Sequence, residues 1–240
     1  MTAHFSFLEA LEKASYDFHP VVPFNDASDK VAALDLSGQN PSFTAQLYES
    51  TDSLSAFIDQ QMEQAGATYL IGGYNELRQM YRRSSLFDTN LAAETDAGEE
   101  PRSLHLGTDI WAPADTKVYA PLGGMVHSFA YNNQHGDYGA TIILQHQIDM
   151  FNFYTLYGHL ALKDLGNIRS GQFITRGENF AHFGAPEENG NWPPHLHFQL
   201  IIDIGQWEGD YPGVCKPSEA GYYLQNCPNP DAILNLYKKI

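Results

Sequence analysis

The segment HLHFQL at residues 195–200 alternates polar and apolar side chains. Successive side chains of a β-strand point to opposite faces, so this alternation predicts a strand with His195, His197 and Gln199 on one face. Pro193 and Pro194, directly before it, oppose a helix at this point. Two imidazoles are therefore expected to project from one rigid strand into the same space.

The chain from residue 105 onward is divided into short apolar segments by Gly and Pro turns. Such spacing is typical of an antiparallel β-sandwich or barrel-like domain, so the predicted fold class is mainly β. In one of these segments, alternation places Tyr157 and His159 on the same face at the end of a strand, beside Gly158. The predicted strands cover residues 117–120, 125–129, 140–145, 151–157 and 197–202.

The N-terminal third has a different pattern. Apolar residues recur at helical spacing over residues 54–62, and Asp52 or Ser53 is placed to cap that helix. A second helix is predicted from Asn75 to about Arg83. No chemical motif is recognised here, so residues 1–88 are interpreted as an appended mixed, partly helical region.

The segment over residues 89–102 is polar and acidic and contains a proline, which is typical of an exposed linker or loop. The predicted organisation is therefore an N-terminal region (1–88), a linker (89–102) and a domain over 103–240. Within that domain the core is expected over 104–203, followed by a C-terminal extension.

Composition excludes several classes. The net charge of −16, without a Lys/Arg cluster, argues against nucleic-acid binding. No apolar run approaches the ~20 residues of a membrane helix. The N-terminus lacks the basic and apolar regions of a signal peptide, so we expect either a cytoplasmic protein or a trimmed sequence. Cys215 and Cys227 lie outside any CxxC motif, which excludes a four-thiolate zinc site but leaves either two thiols or a disulfide.

A second pair of candidate ligands lies ninety residues before the HLH segment. His105 and Asp109 are four apart, but Gly107 between them and Pro113 after them favour a loop entering a strand over a helix. With the later histidines they supply two nitrogens, one carboxylate and a spare imidazole, the set that a hydrolytic zinc site needs. The residues alone do not decide which histidine of the HLH segment would bind the metal. The other histidines are interpreted as structural: His4, His19, His127, His135, His146 and His182.

These motifs resemble those of the lysostaphin-type zinc metallopeptidases. His105-Leu-Gly-Thr-Asp109 is similar to the family's opening motif, and Tyr157-Gly-His-Leu160 is similar to its central motif. His195-Leu-His-Phe198 is similar to its closing motif. The resemblance covers about residues 104–203. The loop over residues 185–194, which is longer, acidic and carries Trp192, departs from the family's short turn.

The resemblance implies a Zn²⁺-dependent endopeptidase with an antiparallel β core. It assigns His105, Asp109 and His197 to the metal, and His159 and His195 to catalysis as imidazoles that stay off it. A metal-activated water would attack a peptide bond, although Mn²⁺ or Co²⁺ also suits such ligands. The implied substrate is peptidoglycan, cut in its peptide stems or cross-bridges, and the implied location is the cell envelope.

Three alternatives remain open at this stage. One is an intracellular zinc hydrolase that acts on another peptide or amide, which the unusual loop over 185–194 favours. Another is a non-catalytic binding module of the same fold, although such relatives usually lose ligands and all five positions are present here. The third is a latent enzyme whose groove is covered by the N-terminal region or the linker.

Overall fold

The structure, a computed structural model, describes residues 2–87 and 100–240, and most of the linker predicted over 89–102 lies outside these residues. The described part is rich in strands, with short helices at both ends of the chain. The helices are α1 (Thr2–Ala14), α2 (Ala45–Tyr48), α3 (Thr51–Ala65), α4 (Ala220–Asn226) and α5 (Asp231–Leu234). The strands are β1 (Val31–Ala33), β2 (Tyr69–Gly72), β3 (Glu76–Leu77), β4 (Leu104–His105), β5 (Thr108–Trp111), β6 (Lys117–Tyr119), β7 (Gly124–Asn132), β8 (Gly139–Ile148), β9 (Phe151–Leu160), β10 (Phe173–Ile174), β11 (Asn179–His182), β12 (His195–Ile201) and β13 (Val214–Cys215).

One large open sheet organises the fold. Its eight strands run in the order β1-β2-β5-β12-β9-β8-β7-β10, and every pairing is antiparallel except that of β1 with β2. Two smaller sheets accompany it, β11-β6 and β13-β4-β3. The predicted mainly β class is confirmed, and within the described residues the large sheet does not close into a barrel. Each of the five predicted strand segments overlaps an observed strand, and two of them extend one residue beyond it.

The N-terminal region extends the same sheet. Strand β2 pairs with β5 so that Gly72 lies opposite Asp109, and β12 pairs with the other edge of β5 so that His197 also lies opposite Asp109. The candidate ligand Asp109 is therefore flanked by one strand from the N-terminal region and one from the motif-bearing segment. The division into residues 1–88 and 103–240 stays a prediction.

The two faces of the large sheet bury different clusters. Leu196, Phe198 and Leu200 of β12 pack into the main core, where Phe7 and Leu11 of α1 also lie. On the opposite face, Trp111 packs with Leu54 and Phe57 of α3, while Leu156 and Ile201 join a third cluster. The polar side chains of β12 face the space between these last two clusters, as the alternation over 195–200 predicts.

The predicted helix over residues 54–62 is confirmed as α3, but its cap is different. Ser50, rather than Asp52 or Ser53, is the N-cap, and its side chain accepts a hydrogen bond from the Ser53 amide. Gly66 ends the helix in the left-handed conformation.

The second predicted helix, from Asn75 to about Arg83, is wrong. Residues 76–77 form β3, which pairs with β4, and only Met80–Arg83 form a short 3₁₀ helix. The amides of Asn75 and Arg78 donate to the carbonyls of His105 and Ser103, so backbone pairing with a distant strand overrides local helical preference. This pairing brings Arg78 next to the candidate site.

Among residues 2–87 and 100–240, no helix combines the length and the apolar character that crossing a membrane requires. Cys215 and Cys227 are both buried and free, which agrees with the two-thiol alternative.

Candidate metal centre

Three side chains converge at the meeting point of β4, β5 and β12. His105, Asp109 and His197 are all buried, and each offers one ligand atom within 4.8 Å of the other two. The His105 Nε2 and His197 Nδ1 atoms are 2.9 Å apart, and Asp109 Oδ1 lies 3.4 and 3.2 Å from them. The structure therefore brings together the three residues predicted as metal ligands.

Hydrogen bonds behind each imidazole fix which nitrogen carries the proton. The Nδ1 atom of His105 faces the Gly73 carbonyl at 2.9 Å, and a carbonyl can only accept, so Nδ1 is protonated and Nε2 has a lone pair. The Nε2 atom of His197 faces Gln199 Oε1 at 2.9 Å. Because the Gln199 amide nitrogen donates to the Pro212 carbonyl, its oxygen is the acceptor, and His197 Nδ1 has the lone pair.

Two nitrogen lone pairs and a carboxylate oxygen thus face one another without a proton between them. Lone pairs at 2.9 Å repel, and a cation bound between them would remove this repulsion. A tetrahedral zinc with bonds of roughly 2.0–2.2 Å separates its ligand atoms by about 3.3 Å, close to the observed spacings. The donors present, two neutral imidazole nitrogens and one carboxylate, fit Zn²⁺.

The charge state of these groups agrees with this role. Burial lowers the pKa of His105 to about 4, so its imidazole is neutral at pH 7. Burial by itself raises the pKa of Asp109, but His105 and the Arg78 guanidinium outweigh it and bring that pKa well below its usual range. Both groups are then in the protonation state that a metal ligand requires.

The two histidines predicted as catalytic lie beside the cluster. The His159 and His195 ring centroids are 4.1 Å apart, and His195 stacks on Trp111 at 4.0 Å. Their Nδ1 atoms each lie 2.7 Å from a backbone carbonyl, of Asn189 and Pro193 respectively. In both rings Nδ1 therefore carries the proton, which leaves both Nε2 atoms able to accept one.

Backbone strain places His159 where alternation alone would not. Tyr157 packs against Phe198 in the main core, and a regular strand would turn His159 to that same face. Instead His159 has a φ of +60°, an uncommon conformation for a residue other than glycine. The prediction that it shares a face with Tyr157 is wrong, because the strained φ turns the ring to the metal cluster. Such strain is often stored at functional sites.

Burial also keeps both of these histidines neutral. Desolvation lowers the pKa of His195 to about 4, and that of His159 falls well below its usual value for the same reason. Both rings line one cleft together with the three candidate ligands.

Sequence reasoning missed several residues at this site. Gly73, Arg78 and Tyr138 contact the candidate ligands, yet they lie outside the recognised motifs. Gln199 was expected on the same face as the histidines, but without a role. The structural interpretation of His146 is supported: its two nitrogens bond the Gly123 carbonyl and the Thr155 hydroxyl, away from the cluster.

Comparison with known proteins finds a family match over part of the chain. Residues 103–208 match Peptidase family M23. Over 115 residues the chain is 30% identical to an L-Ala--D-Glu endopeptidase of Bacillus subtilis, covering 46% of this chain and 33% of that protein. Over 99 residues it is 26% identical to the peptidoglycan DD-endopeptidase ShyC of Vibrio cholerae, covering 41% of this chain and 20% of that protein.

Among solved structures, a zinc-containing peptidase from Vibrio cholerae aligns at 28% identity with a TM-score of 0.33, over 42% of this chain and 28% of that one. The chain thus spans about a third or less of the two curated relatives. The family match covers the segment that carries all five predicted site residues. The match of residues 103–208 to peptidase family M23 agrees with the resemblance to the lysostaphin-type metallopeptidases that the motifs predict.

Proposed function

We propose that this protein is a zinc-dependent endopeptidase that hydrolyses peptide bonds of peptidoglycan. The observation that carries the proposal is the set of three lone-pair atoms on His105, Asp109 and His197, which face one another at 2.9–3.4 Å with two further imidazoles beside them. These three residues would hold the metal. When bound, Zn²⁺ supplies Lewis acidity to water and to the carbonyl of the scissile bond.

The chain's own residues would then handle the protons. His159 and His195 each present an unprotonated Nε2 to the cleft, because a backbone carbonyl holds the proton on each Nδ1. One Nε2 would accept the proton of the attacking water, and an imidazolium would return a proton to the leaving amine. Stacking on Trp111 fixes the plane of the His195 ring, and the hydrogen bond to the Asn189 carbonyl orients the His159 ring.

The substrate class comes from the two curated relatives, one named a peptidoglycan DD-endopeptidase and the other an L-Ala--D-Glu endopeptidase. Their names specify different bonds, one between L-Ala and D-Glu and the other a DD bond. The bond that this chain cuts therefore has to be identified from its products.

The experiment is mass spectrometry of purified peptidoglycan after incubation with the zinc-loaded protein. We expect new peptide fragments whose masses identify one bond, far fewer of them with His159→Ala, and none with metal-stripped protein. A folded protein with one zinc that releases no fragment would contradict the peptidoglycan assignment and favour a hydrolase of another peptide or amide.

A further inference from the structure

A buried guanidinium from the N-terminal region contacts the candidate metal centre. Arg78 has a relative exposure of 2%, and its Nη1 atom lies 2.6 Å from Asp109 Oδ2. Its Nε atom lies 2.6 Å from Glu76 Oε2. Arg78 follows β3, well before the family-matched segment over residues 103–208.

The two oxygens of Asp109 have different partners. Oδ1 faces the candidate ligand nitrogens of His105 and His197, at 3.4 and 3.2 Å. Oδ2 faces only the guanidinium among the hydrogen bonds of the described residues. A charged, bidentate-capable donor on Oδ2 keeps the carboxylate from rotating and from offering both oxygens to the same cation.

Arg78 is itself held on several sides. Its amide donates to the Ser103 carbonyl, and Nη1 also reaches the Tyr81 hydroxyl at 3.3 Å. Glu76, which orients Nε, accepts a hydrogen bond from the Leu36 amide through its other oxygen. Contacts with Glu76, Tyr81 and Ser103 thus fix Arg78, and its guanidinium offers a fixed donor to Asp109.

Gly73 makes space for this arrangement. A Cβ at residue 73 would lie 2.1 Å from Arg78 Nη2 and 2.7 Å from His105 Nδ1. The Gly73 carbonyl also accepts the proton of His105 Nδ1. Two of the three candidate ligands are therefore oriented by residues 73–78.

We propose that Arg78 is a positioning residue of the metal centre: it holds Asp109 so that a single oxygen faces the metal. This rests on the metal site of the proposed function. A buried ion pair is by itself weak evidence for a role in stability, and the carboxylate of this pair belongs to a candidate metal ligand. Partners that orient metal ligands typically contribute about 10–100-fold to metal affinity or activity. By keeping Asp109 monodentate, Arg78 also preserves the open coordination position that a catalytic zinc requires.

The test measures metal binding rather than turnover. Wild type, Arg78→Gln and Arg78→Lys are titrated with Zn²⁺ against a chromogenic chelator, and the visible absorption of their Co²⁺ forms is recorded. We expect the Zn²⁺ Kd to rise about 10–100-fold in Arg78→Gln, with an altered Co²⁺ spectrum. The Zn²⁺ Kd of Arg78→Lys should lie between those of wild type and Arg78→Gln, because an ammonium keeps the charge but not the planar donor pair.

The matched control is Arg82→Gln, which makes the same substitution at an exposed arginine four positions later. It should bind both ions as wild type does. If circular dichroism shows that Arg78→Gln is unfolded, the Zn²⁺ Kd of Arg78→Lys decides the test. The Lys ammonium still neutralises the charges of the Glu76 and Asp109 carboxylates. An unchanged Kd and Co²⁺ spectrum in the folded Arg78 variant would overturn the proposal. If the Arg78 variants bind zinc more weakly than wild type, but zinc-loaded wild type cleaves no peptidoglycan, only the substrate assignment is overturned.

Discussion

Strands β2 and β12 pair with opposite edges of β5, and both lie opposite Asp109. Strand β12 carries its chemistry in its sequence, because two histidines alternate with apolar residues. Strand β2, with the sequence YLIG, is apolar and fully buried, and nothing in it indicates a site. Yet the chain that follows β2 orients two candidate ligands through Gly73 and Arg78. The candidate metal ligands therefore lie in segments with recognisable motifs, whereas two residues that orient them lie in a segment without any motif.

The largest expected effect tests the motif-bearing side of this comparison. We expect His197→Ala to lose both the metal and activity, because it removes one of three ligands. His159→Ala should keep the metal and lower kcat by about 10²–10⁴-fold, since it removes only a proton carrier. Zinc content by mass spectrometry, together with peptidoglycan turnover, measures both effects.

His127→Ala serves as the matched control, because His127 bonds Ser128 and does not line the cleft. It should resemble wild type in both measurements. A metal-free but folded His159→Ala protein would contradict the separation of binding from proton transfer.

The next prediction concerns Gly73, in the segment after β2 that orients candidate ligands. Gly73 has a φ of +102°, and a Cβ there would overlap Arg78 and His105. We expect Gly73→Ala to reduce the free energy of unfolding of the metal-free protein by about 2–4 kcal/mol, through backbone strain and displaced side chains. Urea denaturation of the metal-free protein measures this change.

Gly171→Ala separates the two contributions. Gly171 has a φ of +78°, but a Cβ there would meet nothing within 4 Å. Its cost should be backbone strain alone, about 1 kcal/mol. Equal losses at the two positions would mean that Gly73 makes no space for the metal centre.

The smallest expected effect is at Gln199, and it tests whether a residue of the motif-bearing strand orients the candidate ligand His197. Gln199 accepts the proton of His197 Nε2 and so directs Nδ1 to the cluster. We expect Gln199→Leu to weaken Zn²⁺ binding about tenfold, and Gln199→Glu, which keeps the acceptor, to restore most of it. Chelator competition gives both constants. Full affinity in the Leu variant would indicate that packing, including the Tyr138 hydroxyl 3.5 Å from Nε2, is enough to orient this ring.

Much of the β architecture follows from local patterns. The segments over 117–120, 140–145 and 195–200 have the alternation or apolar runs of strands, and they form strands in the structure. The failures lie where distant pairing or strain decides the conformation. Residues 75–83 have helical spacing but pair with β4, and His159 leaves the face of Tyr157 because of its positive φ.

The sequence by itself determined which chemical groups are available, because imidazoles and a carboxylate are groups that can bind a metal or accept a proton. Only the tertiary structure decided how those groups are oriented. A ligand's tautomer and the direction of its free oxygen depend on contacts such as those of Gly73, Arg78 and Gln199. Contacts made across 30 or more residues, like those of Gly73 with His105 and Arg78 with Asp109, leave no local pattern, because they arise from the pairing of strands rather than from neighbours in the chain.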